Sequence, residues 1–298
     1  MKKFERIIVA LDNTIFDEKL LTYFSHFTDI IFPKKVYFTY VDRDLEIPSD
    51  MTISYKDESG NSIPKDELLK KVIDQRIKEF YFQHINVDFE VKILEGKPLD
   101  ELLHWAKVKK ADLMVLGNKR FSEGSGVVAK RVARNTDCAV LFIPETSKEN
   151  IKKILVPVDF STNSEEAMRG AIQLAKYLDN ADITAFNVFD VPMSGYPMIN
   201  MSYEKFVRNM AAFKKEAFEA YLDKFDHGSV KIEADYVENE HNNVAKYIND
   251  YAHKNQFDLI VMGAKGHGVI DRILMGSVTE KLVSYEKEIP LLILRNQK

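Results

Sequence analysis

Gly263, Gly266, Gly276 and Ser277 stand in the order G-x2-G-x9-G-S, with Gly268 between them. Residues of these types at this spacing do one kind of chemistry well: they hold an anion. Glycine lets backbone N–H groups approach a ligand with no Cβ in the way. A serine at the start of a helix either caps that helix or offers its hydroxyl to a phosphate. An apolar run from Asp258 to Met262 leads into the loop and an amphipathic segment from Ser277 to Tyr285 leads out. That is strand, glycine loop, helix, the arrangement in which amides and a helix N-terminus converge on an anion. Four of the chain's 12 glycines fall inside this loop, more than a turn needing glycine for geometry alone would require. Lys265, inside the loop, is placed either to neutralise phosphate or to lie in solvent.

The spacing resembles the signature of the nucleotide-binding class of universal stress proteins, G-x2-G-x9-G-[S/T]. The match is complete at Gly263, Gly266, Gly276 and Ser277, and Val278-Thr279 continues it. The resemblance implies that Met262, Gly263, Lys265, Gly266 and the residues from Gly276 to Thr279 hold the phosphates of ATP. It further implies that Asp159 lies against the nucleoside, with Pro157, Val158 and Val188 lining the adenine pocket. ATP is the nucleotide expected, with AMP or a cyclic form as alternatives and Mg as the accompanying ion. From the residues alone, Asp159 reads equally as a helix-leading turn residue, since Asp-Phe-Ser-Thr-Asn is good turn chemistry.

Other chemistries find little support. There is no G-x4-G-K-[S/T] loop, no H-E-x-x-H and no nucleophile elbow, and the seven histidines show no metal-ligand spacing. His267, Asp271 and Glu280 are the only candidates near the γ-phosphate for a general base, and none has a spacing that demands the role. No catalytic residue is assigned, and any ATP hydrolysis is expected to be slow. Cys138 is the single cysteine, which excludes an intrachain disulfide, and its apolar neighbours point to an inert buried thiol.

The elements that must position the glycine loop recur in the chain. Arg6-Ile7-Ile8-Val9-Ala10-Leu11-Asp12 is echoed by Lys153-Ile154-Leu155-Val156-Pro157-Val158-Asp159. In each copy an amphipathic helix follows, then a second strand, an irregular stretch, a longer helix (near 65–83 and 203–225) and three further strands separated by helices. Strands alternating with helices imply parallel βαβ units. The expected fold is α/β: two tandem five-stranded parallel-sheet domains, 1–147 and 148–298, each with strand order 3-2-1-4-5 and helices on both faces. A pseudo-twofold axis is expected to pair the apolar final strands, Ala139 to Ile143 and Leu291 to Leu294, which would otherwise be exposed sheet edges. Such pairing within the chain stands beside a homodimer as the alternative. In that order strands 1 and 4 are neighbours, so Asp159 and Gly263 share one crevice.

The first copy departs from the signature. After Gly117 come Asn118, Lys119 and Arg120, five residues instead of nine precede Gly126, and Val127 stands where the serine would be. Gly124-Ser125-Gly126-Val127-Val128-Ala129 fits a dinucleotide fingerprint but follows the wrong strand. Lys119, Arg120, Lys130 and Arg131 leave the alternative of a basic anion pocket.

At 298 residues, 45% hydrophobic and 30% charged, the chain is long enough for two globular domains. A net charge of −4 argues against a nucleic-acid partner. No stretch approaches the roughly 20 apolar residues of a membrane span. The run Ile7 to Leu11 is too short for a signal peptide, so a cytoplasmic location is expected. The function expected is an ATP-binding, nucleotide-responsive regulator in the stress response. The rival readings are a nucleotide-independent interaction scaffold and a slow ATPase or phosphotransferase, and no protein partner can be named.

Overall fold

A computed structural model describes residues 4–42, 55–56, 62–81, 87–119, 126–178, 180–190, 213, 215–266 and 275–295. The first half runs β1 (Arg6–Leu11), α1 (Phe16–Ile31), β2 (Lys35–Asp42), two short strands β3 (Tyr55–Lys56) and β4 (Ser62–Ile63), then α2 (Lys65–Phe80) and β5 (Asp88–Glu95). It finishes with α3 (Pro98–Lys109), β6 (Leu113–Asn118), α4 (Val127–Asn135) and β7 (Ala139–Pro144). The second half runs β8 (Lys153–Pro157), α5 (Thr162–Tyr177), β9 (Asp182–Phe189), α6 (215–222) and β10 (Ile232–Glu238). It ends with α7 (Val244–Lys254), β11 (Leu259–Gly263), α8 (Ser277–Tyr285) and β12 (Leu291–Leu294).

Ten of these strands form one sheet in the order β10-β9-β8-β11-β12-β7-β6-β1-β2-β5. Each half contributes the expected 3-2-1-4-5 order, and within each half every pairing of this sheet is parallel. The halves join where β12 meets β7 antiparallel, with Leu291 opposite Phe142, Leu292 opposite Leu141 and Ile293 opposite Val140. Both strands are buried along their whole length, so their runs are apolar on both faces. Alternate residues then feed two cores. Leu141, Ile143, Leu292 and Leu294 pack with α1, α2, α5 and α6 on one side, and Val140, Phe142, Leu291 and Ile293 with α3, α4, α7 and α8 on the other.

Within the irregular stretch expected between the second strand and the longer helix, β4 pairs antiparallel with β3 (Tyr55 opposite Ile63). Most of the longer second-half helix expected near 203–225 lies outside the described residues, as do Arg120, His267 and Asp271.

The repeat extends to hydrogen bonds that periodicity does not reveal. Asp112 Oδ2 accepts from the amides of Glu5 and Arg6 at 3.1 and 3.0 Å. Asp258 Oδ2 accepts from Lys152 and Lys153 at 2.9 and 3.0 Å. In both halves an aspartate before the fourth strand thus ties down the start of the first, fixing the register of the two strands that flank the crevice.

Candidate functional site

In the second half the chain leaves β8 toward β9 on one side and returns as β11 on the other, which opens a crevice at the carboxyl ends of these strands. A cleft of about 260 Å³ lies there. Pro157, Val158, Asp159 and Val188 form one part of its lining. Met262, Gly263, Lys265, Gly266, Gly276, Ser277, Val278 and Thr279 form the other. The structure therefore brings together all twelve residues that the sequence singled out. It adds Ser164, Phe186, Val244 and Ile248, which periodicity reads as ordinary strand and helix positions.

The turn after β8 is built by Asp159, whose Oδ1 accepts from the Ser161 amide at 3.0 Å and hydroxyl at 2.6 Å. Ser161 in turn caps α5, accepting from the Ser164 amide at 3.2 Å. Across the crevice, a Cβ on Gly266 would run into Asp159 Oδ2, so the loop passes directly over this carboxylate. Gly263 serves a different need. A Cβ there would stand 2.7 Å from the Asn163 carbonyl oxygen and 2.8 Å from its carbon, so only glycine lets β11 lie this close to the first turn of α5.

The apolar end of the cleft is walled by Phe186, stacked on Tyr251 at 4.0 Å between centroids and 13° between planes. The Tyr251 hydroxyl donates to Asp235 at 2.7 Å. The Val158 amide donates to the Phe186 carbonyl at 2.8 Å, and the buried Asn187 amide donates to the Val158 carbonyl at 2.7 Å. The wall between β8 and β9 is thus fixed by its own backbone.

At the polar end stands the N-terminus of α8. Gly276 is its cap residue and has extended backbone (φ −77°, ψ 158°). Gly276 therefore needs no positive φ, and of the two readings of Ser277 the cap falls away, since Ser277 is the first helical residue. No side chain caps the helix, and the amides of Ser277, Val278 and Thr279, in its first turn, have no partner within it. Thr279 is buried and its hydroxyl donates to the Gly263 carbonyl at 3.1 Å, so it braces the loop from behind. Ser277 is exposed at the mouth.

The first half repeats the turn but fills the crevice. Asp12 Oδ1 accepts from the Thr14 amide at 3.2 Å and hydroxyl at 2.6 Å, as Asp159 does with Ser161. Here, however, the Lys119 ammonium sits on Asp12 Oδ2 and 3.1 Å from the Thr14 hydroxyl. Phe16 takes the place of Asn163, its ring 2.6 Å from where a Gly117 Cβ would be. Val127 replaces Ser277 and Ala129 replaces Thr279, removing both hydroxyls.

Asp17 takes the place of Ser164. Its carboxylate, 1% exposed, accepts from the amides of Asp12 and Asn13 at 3.1 and 2.8 Å and faces Arg76 at 3.3 Å. Burial, reinforced by Asp12, raises it from 3.8 to about 6 despite the amides and Arg76. The folded chain therefore keeps a proton that the unfolded chain has already lost. Stability from this group is present below pH 4 and is lost as pH rises through about 6. Relative to wild type, Asp17→Asn should gain roughly 2 kcal/mol between pH 4.5 and 7.5, read as the difference between the two urea-unfolding profiles. Parallel profiles would show that Asp17 is ionised without penalty.

Comparison with known proteins fits this geometry. A sequence profile described as the Universal stress protein family matches residues 3–144 and again 150–295. A universal stress protein of Methanocaldococcus jannaschii is 35% identical over 152 residues, covering 50% of this chain and 86% of that protein. Among solved structures, a universal stress protein from Archaeoglobus fulgidus superposes with a TM-score of 0.66 at 14% identity, over 99% of this chain and 100% of that one. A Pseudomonas aeruginosa protein gives 0.65 at 13% identity, over 98% and 92%. At such identities the two structures speak to the fold alone. Among the described residues no helix is long and apolar enough to cross a membrane.

Proposed function

We propose that this chain, which belongs to the universal stress protein family in both of its halves, binds one adenine nucleotide, as ATP, in the cleft of its second half. On this reading residues 148–298 form the nucleotide domain and residues 1–147 a degenerate copy. The protein works as a nucleotide-responsive regulatory module. The observation that carries the reading is the pairing of an apolar slot walled by Phe186 with three first-turn amides of α8 that have no partner within the helix. A purine fits the first and phosphates the second. Lys265 adds positive charge between them, and Asp159 stands where the nucleoside would cross. Among the described residues no group of three or more His, Cys, Asp or Glu side chains could hold a metal. A Mg ion would therefore take most of its ligands from phosphate oxygens and water. On this reading the chemistry is binding, and any ATP hydrolysis is slow.

The test is calorimetric titration with ATP. Ser277→Ala should remove one hydrogen bond to a charged acceptor, about 1.5–3 kcal/mol, or roughly ten- to a hundredfold in affinity. Wild-type affinity in that variant would mean that the loop is not the phosphate site. Rapid phosphate release from bound ATP would favour an ATPase instead.

A further inference from the structure

The turn that carries Asp159 has a strained centre. Asp159 Oδ1 closes it by accepting from the Ser161 amide at 3.0 Å, and the residue enclosed is Phe160, with φ +62°. A left-handed backbone suits glycine or asparagine, and a bulky aromatic residue keeps it only where its surroundings hold it there. Here α6 does the holding. The Phe160 ring meets Phe218 at 5.2 Å between centroids and 65° between planes, and Tyr221 at 5.4 Å and 85°. Phe218 and Tyr221 are both buried, and neither lines the cleft. The first half follows the same plan with different chemistry. Asn13, φ +58°, takes the left-handed position, and Arg76 of α2 donates to its Oδ1 at 3.4 Å and to the Thr14 carbonyl at 3.1 Å. In each half a helix outside the crevice thus grips the left-handed residue of the crevice turn. Asparagine keeps that backbone unaided, whereas Phe160 needs its clamp, so the second-half turn depends on the docking of α6.

We propose, on the nucleotide reading above, that Phe160 is a positioning residue for the cleft, through which occupation of the cleft and docking of α6 strengthen each other. Clamped by Phe218 and Tyr221, it holds the Asp159 carboxylate under the glycine loop, where Oδ2 faces Gly266. If α6 moves away, the Phe160 ring loses both aromatic contacts and its backbone relaxes out of the left-handed region. The link between Asp159 Oδ1 and Ser161 then opens, and the cap that Ser161 gives α5 is loosened with it. By linkage, a ligand that needs Asp159 in place favours docked α6 by the same factor.

Amide hydrogen exchange and calorimetric titration with ATP test this on the whole chain. Phe218→Leu loosens the clamp without touching the turn. It should weaken ATP roughly fivefold and speed exchange of the Ser161 amide by a similar factor. In a Phe160→Asn chain, whose turn holds itself as Asn13 does, adding Phe218→Leu should change neither. ATP should slow exchange at amides 218–222 of α6 in the wild type and in Phe160→Tyr, which keeps the ring, but not in Phe160→Asn. Urea midpoints show that each variant is folded. Equal effects of Phe218→Leu in both backgrounds would mean a merely structural role and overturn the proposal, as would no effect in either. The Ser161 measurement needs no nucleotide. If ATP fails to bind the wild type, the nucleotide reading falls, and exchange at Ser161 still decides whether α6 holds the turn.

Discussion

Gly263→Ala is expected to destabilise the chain by roughly 3 kcal/mol, at the upper end of what one added methylene-sized group does in a tight contact. The clash is with backbone: the new methyl would meet the Asn163 carbonyl at 2.7 and 2.8 Å, and α5 can only yield by moving off the sheet. Gly266→Ala makes the informative contrast. Its methyl would meet only the end of the Asp159 side chain, which can swing aside, so stability should change by less than about 1 kcal/mol. Nucleotide affinity should fall at least tenfold, because Asp159 then leaves its place in the cleft. Chemical denaturation and ATP titration of both variants separate the roles. If Gly263→Ala unfolds at the wild-type midpoint, the close approach of β11 to α5 has been misjudged.

The second large effect is in stoichiometry: one nucleotide per chain, abolished by Gly276→Asp. With φ −77° and ψ 158°, Gly276 already has the backbone of a helix cap, and the nearest atom to its added Cβ is Lys265 Cα at 3.4 Å. An aspartate there would satisfy the first-turn amides of α8 itself and repel phosphate. The variant should therefore be as stable as wild type or more so, by up to about 1 kcal/mol, while binding disappears. The converse change, Val127→Ser, should create no second site, since it restores a hydroxyl and leaves Lys119 on Asp12 and Asp17 in the crevice. Equilibrium dialysis at saturating ATP reads both. Two sites per chain, or binding that survives Gly276→Asp, would mean that the degenerate half has been misidentified.

Much of this was legible in the sequence because it depends on local pattern. Continuous apolar runs such as Ala139 to Ile143 announce strands covered on both faces, and the antiparallel meeting of β7 and β12 follows from the need to cover two apolar edges. The glycine spacing fixed the cleft because a loop of given length between a strand and a helix has few places to go. What stayed hidden depends on distance in space. Asp17 looks like any acidic residue in a first helical turn, and only the fold buries it against Asp12 and Arg76. That the Thr279 hydroxyl turns back to the Gly263 carbonyl is likewise not written in the local pattern. Phe186 has the pattern of a core strand residue, and nothing local says that one side of it is open. The contact of Phe160 with α6 joins two stretches that no periodicity connects.

The antiparallel junction of β7 and β12 carries a consequence for inheritance as well as for architecture. In a pair of identical chains every substitution is made twice, so one crevice cannot be given up without losing the other. Here the pair is covalent, and Lys119, Phe16 and Asp17 could accumulate in one copy while Gly266 and Ser277 were kept in the second. The join also makes association intramolecular, with an effective concentration on the order of millimolar for a short linker, whatever the amount of protein in the cell. The protein's response would then follow the nucleotide pool and not its own abundance. A dilution series of ATP affinity, flat down to nanomolar chain, is the signature of that independence.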